Sequence, residues 1–406
     1  MRASKTPATQ EAKEQEPGSP AARTTPPIPA PASIRRVLVI AFGHTAEVLA
    51  VVPALRALRQ TYAHARITVI GYSYAREILV ACPYVDTVIT IETFEQKRGT
   101  RWSRLVRLAK AAQLAPRLYG RFDLAIIFHA QPKFTTYLAW VSGARVRVGL
   151  LYDDSRMLTH RARQINWITS WREENRLVLE AIGVTNLTDE LEIWPTPGDE
   201  QAIQALLSRH GVADDALLIG LHPGSHWTCQ QWSPKDWAAL ADALVSRYGA
   251  DLIITGTGDE RHLADAIRQQ MKARAAHLID ATGQTSALQF AALVRRMDLF
   301  ICVNSAAPQV SVAVKTPTLD LLGYEKLAYN PPVEGEPITI IRGCDDATAV
   351  ENWCPYNIWG KVNGCHRAEC MGIGGLSLIT PNMVLRQAER HLKARRKTPT
   401  SSSAGQ

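Results

Sequence analysis

Residues 35–62 read "RRVLVIAFGHTAEVLAVVPALRALRQTY". The run "RVLVIAF" is continuously apolar and ends at Gly43, as a strand buried on both faces does. Beyond "GHTAE", Val48, Val51, Val52, Leu55 and Leu58 recur at helical spacing, with Pro53 expected early in that helix at modest cost. A buried strand, a break and a helix form the first part of a crossover unit. The break therefore stands outside the carboxyl end of a strand, where open α/β sheets hold their ligands.

Outward from this stretch the same alternation continues. "ARITVIGY", "VDTVITIE", "FDLAIIFHA" and "ARVRVGL" read as strands, with a short helix near Phe134 to Val141. A second set opens near residue 216 with the strand "ALLIGLHPG" and the helix "SPKDWAALADALVSRYG", for which Ser233 is the expected cap. It continues through "ADLIITGTG", a helix from about Glu260, "AHLIDAT", "SALQFAALVRRM", "DLFICVN", a helix over "APQVSVAVKT", and "PTLDLL". The segment "IWPTPGDE", residues 193–200, separates the sets. Strands alternating with helices in two sets predict two Rossmann-like α/β domains with parallel sheets, residues 34–195 and 196–380.

Composition agrees. At 406 residues, 46% hydrophobic and 21% charged, the chain has material for about two domains. Residues 1–33 and 396–406 are too rich in Pro, Ala, Ser and Thr to bury a core and read as a disordered arm and tail. The net charge of +8 suits an anionic ligand or a membrane surface without demanding nucleic acid, and no nucleic-acid partner is expected. No apolar run reaches the roughly 18 residues of a membrane span, and the N-terminus has no signal-peptide core. Seven irregularly spaced cysteines do not form a disulfide framework, so a cytoplasmic location is expected. Cys344, Cys354, Cys365 and Cys370 contain no C-x2-C pair, and no metal is expected among them.

Three junctions could carry chemistry. Glu47 falls in the first turn of its helix, where it is either a dipole-compatible carboxylate or a general base facing a cleft. His44 and Thr45 share its loop. In "GLHPGSHWTCQQW", Gly224 lets the backbone approach a ligand and Ser225 adds a hydroxyl, a pairing suited to pyrophosphate. "TGTGDER" supplies Glu260 but lacks the GxGxxG spacing, which argues against a dinucleotide-dependent oxidoreductase. In "VNSAAPQVSVA", Asn304 and Ser305 are natural helix caps and could also meet phosphate or sugar hydroxyls. The basic stretch "KRGTRWSRLVRLAKAAQLAPRLYGR", residues 97–121, is either a solvated helix face or a contact for anionic headgroups or a phosphorylated acceptor.

The succession of these motifs resembles glycosyltransferase family 9, the heptosyltransferases of lipopolysaccharide core assembly. The similar stretches include "VLVIAFGHTAEVLAVVPALRALRQTYAHARITVIGY", "HPGSHWTCQQWSPKDWAALADAL", "LIDATGQTSALQFAALVRRMDLFICVNSAAPQVSVAVKTPTLDLLG" and "CHRAECMGIGGLSLITPNMV", within residues 35–395. The resemblance implies a GT-B fold of two facing Rossmann-like domains, with a final helix, residues 381–395, packed back on the N-terminal one. It implies inverting, metal-free transfer from a nucleotide-diphosphate sugar, ADP-heptose foremost, to a lipid-linked or surface-glycan acceptor. The work would be done on the cytoplasmic face of the inner membrane, with peripheral contact to it. Glu47 becomes the general base. Ser225, Gln230, Glu260, Thr285, Asn304, Ser305, Ala306 and Gln309 become the donor site, and His44, Thr45 and Arg101 the acceptor side. The sequence departs from the family at Ala46-Glu47, where Gly-Asp is usual, and at Gln230, where a lysine is usual. Its Asp-Ser-Gly-x-x-His motif reads Asn304-Ser305-Ala306-Ala307-Pro308-Gln309 here. A non-catalytic relative that binds a sugar nucleotide or glycan is the competing expectation.

Overall fold

The computed structural model describes residues 26–91, 113–128, 132–150, 157–162, 170–226, 228–272, 278–323, 331–343 and 375–397. The first half holds β1 (Arg36–Ala41), α1 (Thr45–Thr61), β2 (Arg66–Gly71), α2 (Ser73–Leu79) and β3 (Thr87–Thr90). There follow α3, described over residues 113–118, then β4 (Leu124–Phe128), α4 (Pro132–Val141), β5 (Val146–Leu150), β6 (His160–Ala162) and α5 (Trp171–Glu180). Its sheet runs β3-β2-β1-β4-β5-β6, parallel throughout, with Val39 beside Val69 on one side and Ile126 on the other. β1 and β4 are apolar because helices cover both faces of a parallel sheet. The apolar face of α1 packs as its spacing predicts, although Pro53 stands well inside the helix rather than near its start.

The second half repeats the plan. It contains α6 (Pro197–Arg209), β7 (Leu218–His222), α7 (Pro234–Tyr248), β8 (Asp251–Ile254), α8 (Arg261–Gln270), β9 (Leu278–Asp280) and α9 (Ala287–Arg295). It closes with β10 (Leu299–Val303), α10 (Ala307–Ala313), β11 (Thr318–Leu322), β12 (Ile338–Arg342) and α11 (Pro381–Lys397). The sheet order β12-β11-β10-β7-β8-β9 is the first order read from its other end. In each half the chain reverses direction across the sheet beside its first strand, between β1 and β4 and between β7 and β10. These are the switch points at which such sheets bind ligands.

One expectation fails. α11 does not pack back on the first half: Val384, Leu385, Ala388 and Leu392 enter the core built by Trp232, Trp237, Leu240 and Leu244 of the second half. The indole Nε1 of Trp232 donates to Ile379 O at 3.0 Å, fixing the approach to the helix there. "PTPGDE" is also more than a separator, because Thr196, Pro197 and Asp199 start α6. Asp199 Oδ2 accepts from Thr196 N at 2.9 Å, and Asp199 N donates to Thr196 Oγ1. The cluster Cys344, Cys354, Cys365 and Cys370 lies outside the described residues, as does most of the arm and tail.

The halves meet along an apolar seam. Val310, Val312 and Ala313 of α10 and Leu288 and Ala291 of α9 share a core with α1 and α2. Beside it lies an ion pair between the halves. Arg172 of α5, 4% exposed, donates to Glu336 Oε1 at 2.6 Å, to Asp189 O at 3.1 Å and to Pro331 O at 3.4 Å. Glu336 Oε2 accepts from Val333 N at 2.9 Å, so the pair braces the entry to β12.

Candidate functional site

The carboxyl ends of the two sheets face one cleft of about 660 Å³. The first half contributes His44, Thr45, Ala46 and Glu47 from the β1–α1 junction, Tyr74 from α2 and Trp171 from the start of α5. Opposite stand Ser225, His226 and Gln230 after β7, Thr257 and Glu260 after β8, and Asn304, Ser305, Ala306 and Gln309 after β10. Asp320 of β11 and Glu336 before β12 complete the charged lining.

Each side chain is held for a local reason. Glu47 is the third residue of α1, and its Oε2 accepts from His44 N at 3.1 Å, covering an N–H that the helix start leaves open. A Cβ at Gly43 would collide with Glu47, so the glycine is required by the close approach. The imidazole of His44 packs against Tyr74 with ring centroids 5.0 Å apart. Across the cleft, Ser225 Oγ lies 2.7 Å from Gln230 Oε1 and 2.9 Å from Asn304 O, its one proton serving either. Gln231 Nε2 donates to Ser225 O at 3.1 Å and closes the loop. With its carbonyl oxygen turned to Ser225, the amide of Gln230 keeps its NH2 as a donor.

Glu260 is gripped harder. Its Oε2 accepts from Thr257 N at 2.7 Å and from Thr257 Oγ1 at 3.0 Å. Gly224 and Gly256 lie so close that a Cβ on either would strike its carboxylate. Behind it His222 packs against the rings of Phe290 and Phe300, with Nδ1 2.9 Å from Thr255 Oγ1. Burial pushes the His222 pKa down, and the Glu260 charge opposes that only in part.

Seven of the eight expected donor residues line this cleft, as do Glu47, His44 and Thr45. Thr285 does not. The loop before α9 folds on itself through Gln284 Nε2 to Asp280 O and Thr282 Oγ1 to Asp280 Oδ1, Gly283 N ties it to Gly256 O after β8, and Thr257 takes the place in the lining. Arg101 lies outside the described residues. Sequence reasoning passed over Tyr74, Trp171, Thr257, Asp320 and Glu336. Asp320 had a signal: it is the one charged residue in the buried strand "TLDLL", where only a charge with a purpose survives. Among the described residues the lining carries four carboxylates, Glu47, Glu260, Asp320 and Glu336, and no lysine or arginine.

The arrangement sets a carboxylate on one half against hydroxyl and amide donors on the other. That suits proton removal on one side of a bound molecule while a polar leaving group is held on the other.

Comparison with known proteins places this geometry. Residues 112–356, more than half the chain, match glycosyltransferase family 9 (heptosyltransferase). Lipopolysaccharide heptosyltransferase 3 of Escherichia coli is 23% identical over 288 residues, covering 68% of this chain and 80% of the relative. The family 9 glycosyl transferase of Veillonella parvula superposes with a TM-score of 0.73 at 22% identity, over 90% of this chain and 99% of that one. The E. coli heptosyltransferase WaaC, solved with ADP-2-deoxy-2-fluoro heptose, gives 0.59 at 16% identity over 87% and 99%. These likenesses identify the two facing parallel sheets as a GT-B fold.

Proposed function

The chain belongs to glycosyltransferase family 9, and from that premise we propose that it moves a heptose or related sugar, with inversion, from a nucleotide diphosphate to a lipopolysaccharide-core or other surface glycan. The donor is ADP-heptose, the kind of molecule whose fluoro analogue WaaC holds. Residues 196–380 take the donor, and residues 34–195 take the acceptor at the cytoplasmic face of the inner membrane. The observation that carries this reading is the placing of Glu47 across one cleft from Ser225, Gln230, Asn304 and Ser305.

In the transfer, an acceptor hydroxyl attacks the anomeric carbon as the bond from that carbon to the diphosphate oxygen breaks. Glu47 takes the hydroxyl proton, and the diphosphate leaves toward the other half. Ser225, the Gln230 amide, Asn304 and Ser305 hold that leaving group through neutral hydrogen bonds. Glu260, fixed by Thr257, accepts from the ribose hydroxyls.

A second reading rests on the charge of the cleft. Four carboxylates, of which Glu336 is paired with Arg172, and no lysine or arginine in the described lining make a weak place for a diphosphate, which fits a relative that binds a glycan or sugar nucleotide without turning it over. One experiment separates the two: incubation with ADP-heptose and a heptose-acceptor lipopolysaccharide core, with the product read by mass. Transfer supports the first reading. Donor binding by calorimetry with no product over long incubation supports the second.

A further inference from the structure

One end of the cleft is left over once the donor is placed. The second sheet runs β12-β11-β10-β7-β8, so a ligand held at Glu260 after β8 and at Asn304 after β10 covers the β8, β7 and β10 part of it. Beyond lie β11 and β12, which line the same cleft through Asp320, Leu322, Ile338 and Ile340. Parallel strands are ordinarily covered on both faces. Here the alternation of side chains sends Leu319, Leu321 and Ile341 into the core shared with α11. Asp320, Leu322, Ile338 and Ile340 face the other way, and both isoleucines stay partly open. This end of the cleft therefore has an apolar floor with one carboxylate set deep in it, 4% exposed.

The first half supplies the facing wall. Trp171 opens α5, whose start is capped by Ser170 Oγ accepting from Glu173 N at 3.2 Å. The next residue is Arg172, already pinned to Glu336, and Asn175 Nδ2 donates to Ala50 O at 2.8 Å, tying α5 to α1. The helix thus holds the indole opposite the floor. Of the two carboxylates at this end, the charge of Glu336 is matched by Arg172. Asp320 lies deeper, among aliphatic side chains, where a charge acts with little screening. With no lysine or arginine in the described lining, the field of the cleft draws positive charge. Among the described residues no three His, Cys, Asp or Glu stand together as metal ligands, so the cation that suits this place is one carried by the substrate. An ammonium group on a sugar ring meets both walls: its charge answers Asp320, and its ring and cation lie against the indole.

We propose that the β11–β12 end of the cleft is an acceptor subsite for an amino sugar, with Asp320 the counter-charge to its ammonium group and Trp171 stacked on its ring. The proposal rests on the reading of a glycan acceptor brought to Glu47, and narrows that glycan to one with a free amine at or beside the sugar that is glycosylated.

The test titrates the full-length protein with a glucosamine disaccharide, at a pH where its amines are protonated, and separately with the N-acetylated disaccharide. Calorimetry or ligand-observed NMR gives the two affinities. The free-amine form binds about tenfold to a hundredfold tighter, the worth of a charged hydrogen bond, and raised salt narrows the gap. Asp320→Asn, nearly the same shape, weakens the free-amine form alone and so removes the preference. Trp171→Ala weakens both forms several-fold and keeps the preference. Equal affinity for the two forms, binding of neither, or a preference that survives in a folded Asp320→Asn variant overturns the proposal. The parent's own preference is read without any variant, so a variant that fails to fold does not shelter the idea. No turnover is read: a preference without sugar transfer keeps the subsite and drops the transferase reading, and transfer without a preference does the reverse.

Discussion

Glu47 and Glu260 occupy the same place in the two halves of the molecule. Each is the third residue of a helical turn after a sheet's carboxyl end, and each accepts from the backbone N–H three residues before it. Each lies under a glycine that leaves no room for a Cβ. The difference is in the grip. Glu47 has one contact at 3.1 Å, whereas Glu260 has two, at 2.7 and 3.0 Å, and is enclosed by two glycines with a buried histidine behind. A capping carboxylate is thus no sign for or against function. A loosely held one can follow a proton, and a firmly held one can only receive hydroxyls in a fixed direction.

The largest effect should come from exchanging the two carboxylates for amides. Glu47→Gln lowers kcat by about 10² to 10⁴, the usual span of general-base catalysis, with the donor Kd unchanged. Its amide oxygen can still accept from His44 N, so the melting temperature holds. A Glu47→Gln enzyme with parental kcat would remove the base from the first half. Glu260→Gln acts in the other register: donor Kd rises roughly tenfold to a hundredfold, the worth of a charged hydrogen bond, while kcat at saturation stays near parental. Equal kcat losses in both variants would erase the distinction drawn here.

Next in size are the glycines. Gly43→Ala drives a methyl into Glu47 near the backbone, so the start of α1 must move, at about 1–3 kcal/mol of stability. Gly224→Ala meets only the far end of the Glu260 side chain, which can move aside by giving up its hydrogen bonds to Thr257. That variant should lose less stability than Gly43→Ala, about that of one helix cap, and bind donor more weakly. Thermal melts and donor titrations on the pair check both statements, and the reverse pattern would invert the assignment of grip.

A further effect, seen only through pH, concerns a third carboxylate. Glu174 lies on α5, one turn beyond Trp171, and burial pushes its pKa from 4.5 to about 7. The folded chain therefore binds a proton that the unfolded chain has released between those values. Stability falls as pH rises from about 4.5 to about 7, and the penalty is complete above that. Glu174→Gln should raise the melting temperature at pH 8 and leave it unchanged near pH 4. An equal gain at both values would show that burial charges nothing for this carboxylate.

The sequence revealed the scaffold at its most apolar points. β1, β7 and β10 carry long buried runs because parallel strands are covered on both faces, and their ends located most of the cleft. β6 has three residues, too few for any periodicity, and β12 follows a Pro-rich approach that hides its start. α6 was obscured because its Pro197-Gly198 pair reads as a breaker while serving as a helix entry. Asp320 showed locally only as a lone charge in a buried strand, and that it and Glu336 meet in the cleft follows from sheet order and domain contact, which no local pattern contains. The apolar stripe of α11 announces that the helix packs, and only the fold decides that it packs on Trp232 and Trp237.

That placement of α11 has a mechanical consequence. Since the last helix stays with the second half, the described elements pass from one half to the other once, between α5 and α6. A body joined to another by a single tether can swivel as well as open and shut. Covalent geometry alone thus leaves several degrees of freedom, and the apolar seam at α10 and the pin formed by Arg172 and Glu336 are the contacts that restrict them. Loosening α11 would soften the second body without changing the axis about which it turns.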